Sequence, residues 1–236
     1  VAHFATSCAD ADADAAVAVA AAAVAAEAQP FERSLWQLLH DQGFADALLP
    51  ESAGGAELPL EHAFDLFELC GRHALPLPLT QTMWARALLH RAGVPVPSGP
   101  IGLGLGAVTV SNGELVVDVA LGRCCDHVLT CGSDGWLLLP VTSATVQPHG
   151  LGMDARISWP ADAWQAGLRL PTGQIDLKTA QALLAAAQMS GSMMVVFEQS
   201  LEHANQRQQF GKPIGKFQAI QHNLSLMAEQ VFAARM

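Results

Sequence analysis

The chain has 236 residues, 51% of them hydrophobic, which is enough to fill a sizeable core, and a formal net charge of -10. That acidity argues against a nucleic-acid partner, because phosphate binding draws on clustered Lys and Arg that an acidic bulk opposes. All three lysines (Lys178, Lys212, Lys216) nevertheless fall in the last quarter, beside Arg207 and Arg235, so an anionic ligand is expected there.

Five cysteines (Cys8, Cys70, Cys124, Cys125, Cys131) form no CxxC, and their odd number and uneven spacing do not suggest a disulfide framework. A reducing, cytoplasmic setting is the expectation. The longest charge-free apolar run, Ala15 to Ala26, is too short for the ~20 residues of a membrane span. Asp10, Asp12 and Asp14 precede it where a secretory leader would carry basic residues.

In chain order, the pattern from Asp10 to His90 is helical. Ala15 to Ala28 is Ala-rich; Phe31 to Gln42 carries Leu35, Leu38 and Leu39 and closes at Gly43, a C-cap candidate. Pro50 to Gly55 has loop composition, Leu60 to Cys70 resumes helical spacing, and Thr80 to Ala92 ends at Gly93. Three prolines between Val94 and Pro100 resist helix and mark a boundary. Short apolar runs follow, Ala107 to Val110, Glu114 to Val119, His127 to Cys131 and Trp136 to Val141, separated by Ser-Asn-Gly and Gly-Ser-Asp-Gly turn signals.

A long helix is predicted from Asp176 to about Gln206 and a second from about Lys216 to Arg235, joined by the turn Phe210-Gly211-Lys212-Pro213. Phe217, Ile220, Leu224, Met227, Val231 and Ala234 recur at spacings of three and four, the seam of a bundle. The order of helices, strands and helices predicts an α+β multidomain chain. Its expected parts are an N-terminal α-helical domain (1-96), a small middle β-barrel-like domain (97-172) and the start of a C-terminal helical bundle (173-236).

The segment Arg207-Gln-Gln-Phe210-Gly211-Lys-Pro213-Ile214-Gly-Lys-Phe217-Gln218-Ala-Ile220-Gln221 resembles the R-x-x-F-G-x-P-I...F-Q-x-I-Q signature of acyl-CoA dehydrogenases. Chemistry supports it: Arg207 offers a bidentate fork for a pyrophosphate, Phe210 an aromatic plate for adenine, and the Gln218 amide both a donor and an acceptor. The same residues have a plainer use, in which Phe210, Gly211 and Pro213 close a helical hairpin and Arg207 pairs with Glu202 or Glu229. Leu49-Pro50-Glu51, Gly54-Gly55 and Leu75-Pro76-Leu77-Pro78-Leu79 look like the family's N-terminal domain, and the resemblance runs from about Trp36 to Arg235.

What the resemblance implies is an FAD-dependent enzyme that desaturates an acyl-CoA thioester at its α,β positions. Arg207, Phe210 and Gln218 would reach across a dimer interface to the diphosphate and adenine of a neighbour's FAD. A homodimer, a homotetramer or a heteromer with a related subunit follows. The resemblance also places one family position for the catalytic base near Gln181, which cannot take a proton, and the other beyond Met236, where a longer bundle would continue. The family's T-E-P-x-x-G-S-D element and Trp-x-Thr stretch are not recognisable here. Two alternatives therefore accompany the dehydrogenase: a non-catalytic partner subunit of a heteromeric dehydrogenase, and a helical oligomerisation protein without cofactor.

Three other patterns carry less. Glu198 and Glu202, at i and i+4, read as a solvated helix face. Cys124, Cys125, His127 and Cys131 match no common zinc spacing and read as structural thiols. Gly102-x-Gly104-x-Gly106 lacks the strand-turn-helix setting of a dinucleotide loop and is expected in a strand or at a domain junction.

Overall fold

The computed structural model describes residues 33–111, 113–132, 135–149, 152–171 and 177–236; the helix expected over Ala15 to Ala28 lies outside them. Three helices come first, α1 (Arg33–Asp41), α2 (Leu60–Arg72) and α3 (Leu79–Arg91). Gly43 and Gly93 follow α1 and α3 in the left-handed conformation, at φ 79° and 69°, where glycine has no Cβ to clash. The central member is α3, where Leu79, Met83, Ala85 and Leu89 are fully buried. Arg86 on that helix pairs with Asp46 at 2.7 Å; burial pulls the guanidinium below its usual pKa, and the Asp46 carboxylate opposes that shift.

Seven strands follow: β1 (Ile101–Ser111), β2 (Glu114–Val119), β3 (His127–Cys131), β4 (Trp136–Pro140), β5 (Thr145–Pro148), β6 (Ala155–Trp159) and β7 (Leu168–Leu170). A short helix α4 (Ala161–Gln165) lies between the last two. They form one sheet in the order β5-β6-β2-β1-β3-β4-β7, with β1 and β3 parallel and the other pairs antiparallel. The Thr82 hydroxyl on α3 accepts the Ile101 N–H at 2.9 Å and so anchors the start of β1 to the helices.

The sheet is strongly curled. Trp159 of β6 donates its indole N–H to the Pro140 carbonyl of β4 at 2.8 Å, although three strands separate β6 from β4 in the sheet order. The space inside is filled by Leu115, Val117, Val128, Leu139, Ile157 and Trp159. Gly102 and Gly104 sit in β1 on this inner side, as the strand reading expects. A Cβ at Gly102 would lie 2.7 Å from both Cys125 Sγ and Val119 Cγ1, so the tight curl requires glycine there.

The outer side of the sheet shares one core with the helices: Ile101, Leu103, Leu129 and Leu138 pack with Leu39, Phe67, Met83 and Leu184. Leu184 belongs to α5 (Leu177–Gln206), which is followed by a two-residue ladder, β8 (Gln208–Gln209) with β9 (Lys212–Pro213), and by α6 (Gln218–Arg235). On α5 the buried positions Leu177, Ala180, Leu184, Ala187 and Gly191 alternate by three and four and form the inward stripe. By length and composition α5 would suffice to cross a membrane. Core helices of soluble proteins pass the same test, and here the stripe is covered by α2, α3 and the sheet.

The crossing of α2 and α5 is unusually close. A Cβ on Gly71 would overlap the Gln188 carbonyl, and one on Gly191 would overlap the Glu68 carbonyl. Ser192 donates to the Gly71 carbonyl at 2.8 Å, and Arg72 binds Glu198 through two contacts of 3.3 and 2.9 Å. Glu198 is thus an ion-pair partner, and Glu202 accepts the Gln206 amide at 2.7 Å. The two carboxylates serve separate neighbours on a largely exposed face and do not form a paired acid site.

Candidate functional site

The turn between α5 and α6 is built by backbone conformation. Phe210 and Gly211 have φ 52° and 77°, the pair of left-handed residues that a two-residue hairpin demands, and Gln208 and Gln209 pair with Pro213 and Lys212 on either side. Glycine meets that demand without strain. Phe210 meets it at a cost of ~1–2 kcal/mol, because its Cβ approaches the following carbonyl. The Ile214 N–H returns to the Arg207 carbonyl at 2.9 Å, and Pro213, which has no N–H, ends the ladder.

The three residues predicted to bind lie in and beside this turn, all of them exposed. Phe210 is 91% exposed, touching the Phe217 ring edge-on at 6.1 Å between centroids. Arg207 is exposed, and its guanidinium has no ion pair or hydrogen bond among the described residues; it binds neither Glu202 nor Glu229. Gln218 is exposed at the first turn of α6. Lys212 lies over the Phe217 ring at 4.4 Å, which holds a second cation at the turn. From sequence Lys212 reads only as one of the cations of the basic last quarter and Phe217 only as part of the α6 seam; their contact is visible in the folded chain alone.

Gln181 is elsewhere. It lies on the inward side of α5 and donates its amide to the Gly104 carbonyl of β1 at 2.7 Å, sealing the helix to the sheet. A side chain committed as a donor, with no titratable proton, does no acid-base work. Replacing Gln181 with Glu is expected to destabilise the chain by ~1–3 kcal/mol at neutral pH, since a carboxylate would face a carbonyl oxygen. Only the protonated carboxyl donates, so the folded state would raise that pKa above ~4.3. The penalty should then be full above the folded pKa, fade as pH falls from the folded to the unfolded value, and be nearly gone below the latter. Urea unfolding of both proteins at pH 4 and pH 7 checks this, and an equal gap at both values would refute the hydrogen bond's role.

Among the described residues the cysteines form no cluster with other metal-ligating side chains. Cys124 points at the Pro76 carbonyl and Cys125 at the Leu121 carbonyl. Burial pushes the Cys124 thiol up to about 11 and Cys70 up to about 12, and raises Cys125 as well, so these remain thiols at neutral pH. Between α5 and α6 lies an open groove of about 380 Å³ lined by Val196, His203, Ile214, Ile220 and Leu224. The seam predicted on α6 faces this region only half-covered: of its helix, only Val231 is buried.

Residues 174–236 match the family described as acyl-CoA dehydrogenase, C-terminal domain. Acyl-CoA dehydrogenase IpdE2 of Mycolicibacterium smegmatis is 31% identical over 209 residues, covering 87% of this chain and 64% of that protein. The chain therefore spans just under two thirds of that relative's length. Among solved structures, a variant of the Tcur3481-Tcur3483 steroid ACAD superposes with TM-score 0.75 at 22% identity, over 94% of this chain and 73% of that one. The ChsE4-ChsE5 complex of Mycobacterium tuberculosis gives TM-score 0.65 at 23% identity, over 94% and 76%. At such identities the two structures speak for the fold alone. Residues 174–236 thus carry the C-terminal domain of the acyl-CoA dehydrogenase family, and the chain as a whole is similar in sequence and fold to acyl-CoA dehydrogenases.

Proposed function

We propose that this chain is a subunit of an FAD-dependent acyl-CoA dehydrogenase, and that it lends Arg207, Phe210 and Gln218 to the ADP half of a flavin shared with a neighbouring chain. The observation that carries the reading is Phe210. It holds a strained backbone conformation and also leaves an aromatic ring in water, two costs that folding alone does not explain. The residues present fit a dinucleotide: an unpaired guanidinium for the pyrophosphate, an exposed ring for the adenine, and an amide for its polar edge.

When bound, the flavin would supply the acceptor for the hydride that leaves the β carbon of the acyl thioester. This chain's part is to bind and orient. Gln181 cannot remove the α proton, so the base is a carboxylate at another position. Two forms of the reading follow: a complete enzyme, and a heteromer in which this chain completes a site whose base belongs to a partner.

The test is an absorption spectrum of the purified native protein, alone and coexpressed with a related subunit, followed by anaerobic addition of acyl-CoA thioesters that include a steroid-type acyl chain. Flavin bands that bleach with one thioester only in the coexpressed sample would establish the partner-subunit form. Bleaching by the chain alone would establish a complete enzyme. A protein without flavin in both samples would sink the reading and leave the helical oligomerisation protein.

A further inference from the structure

Glu68 is the carboxylate through which both helices of the C-terminal hairpin are tied to α2. One oxygen accepts the Ser190 hydroxyl of α5 at 2.6 Å, in a buried contact. The other pairs with Arg235 of α6 at 3.1 Å, and Asp65, one turn earlier on α2, lies 3.7 Å from the same guanidinium. The Glu68 side chain is 10% exposed, so its charge is held largely out of water and needs both partners.

The two helices depend on this carboxylate to different degrees. The inward stripe of α5 is covered, and the helix is held further by the Gly71 and Gly191 contacts and by the bond between Arg72 and Glu198. By contrast α6 buries Val231 alone, one turn from Arg235. Its other end is fixed by the Phe210 turn, where Gln218 begins the helix. Along its described residues α6 otherwise rests half-covered on α5, so release of the Arg235 contact loosens it.

We propose that Glu68 is a positioning residue: with Arg235 it clasps α6 away from the Phe210 turn and thereby fixes the angle at which Gln218 is presented beside Arg207. This rests on the flavin reading above. Glu68→Gln keeps an oxygen for Ser190 but removes the charge that holds Arg235. Arg235→Met, at a half-exposed position, releases the clasp from the other side while Glu68 keeps the Ser190 hydroxyl, and serves as the second variant where Glu68→Gln folds poorly.

The experiment uses the assembled protein with whatever partner it purifies with, at a temperature where circular dichroism shows every variant folded. Amide hydrogen exchange and the dissociation constant for FAD are measured together. Both variants should exchange faster across 218–235, with α5 protected as before, and should bind FAD about tenfold more weakly, equivalent to ~1.4 kcal/mol. The double variant should be no worse than either single one, because both break the same contact. Unchanged exchange in α6 would overturn the clasp, and faster exchange with FAD affinity within twofold of wild type would overturn the positioning role. A wild-type assembly that holds no FAD would instead sink the flavin reading and the positioning role with it, while exchange still decides the clasp.

Discussion

An Arg207→Ala variant is expected to lose FAD about 10- to 100-fold more readily than wild type while keeping its folding stability. The magnitude follows from removing a charged donor from a phosphate, a contact worth ~1.5–3 kcal/mol. Stability should not move, because the guanidinium is exposed and binds no acid among the described residues. Had Arg207 been a hairpin-closing residue paired with Glu202, the variant would lose stability instead; but Glu202 is engaged by Gln206. Phe210→Asn sharpens the contrast, since asparagine tolerates the left-handed conformation better than phenylalanine and relieves strain at the turn. It forfeits the edge contact with Phe217, so its stability should stay within ~1 kcal/mol of wild type while flavin retention falls. Equilibrium dialysis for FAD beside thermal unfolding reads both effects. Loss of stability with FAD retention intact would place these residues in the fold and remove them from the site.

How much of this was legible in the sequence depended on the range over which each signal acts. Turn chemistry and apolar runs are local, and β2 and β3 span Glu114–Val119 and His127–Cys131 as the pattern predicts. In β1, Gly102 and Gly104 hid the strand: its observed start at Ile101 precedes the apolar run by six positions, because glycine in a curled strand carries no hydrophobic signal. The pattern also passed over β5, β6, α4 and β7. Every residue of β5 is exposed, so no apolar face announces it. In β6, Ala155, Ile157 and Trp159 alternate inward over five residues, a readable period in a run too short to stand out.

The site divided along the same line. Arg207, Phe210 and Gln218 lie within one short motif and were visible together. The role of Gln181 was half visible: its type excluded a base, while its bond to Gly104 joins residues 77 positions apart. Ser190 and Glu68 are 122 positions apart, and only the folded chain brings them together. The α6 seam was readable as apolar periodicity, but what covers it is set by other helices, and among the described residues it stays half-exposed.

Gly191→Ala carries the largest expected loss of stability, and its sign runs against helix propensity. In the interior of an exposed helix the same change would stabilise by ~1 kcal/mol, since alanine is the better helix former. Here the added methyl would meet the Glu68 carbonyl and lie 2.9 Å from the Arg72 nitrogen, both backbone atoms of a packed helix that cannot rotate away. The helices must separate, and separation loosens the Ser190 bond to Glu68, the Ser192 bond to Gly71 and the bidentate pair of Arg72 with Glu198. Overpacking alone costs ~1–3 kcal/mol, and the loosened contacts take the total to about 3 kcal/mol or more. Gly71→Ala, which would strike the Gln188 carbonyl from the opposite side, should cost a similar amount. Since both variants open one crossing, the double variant should lose less than the sum of the two. Urea denaturation of the four proteins supplies the cycle. Additive losses would mean that the glycines act at separate places, and a stabilised Gly191→Ala would mean that α2 and α5 do not approach as closely as their carbonyl contacts require.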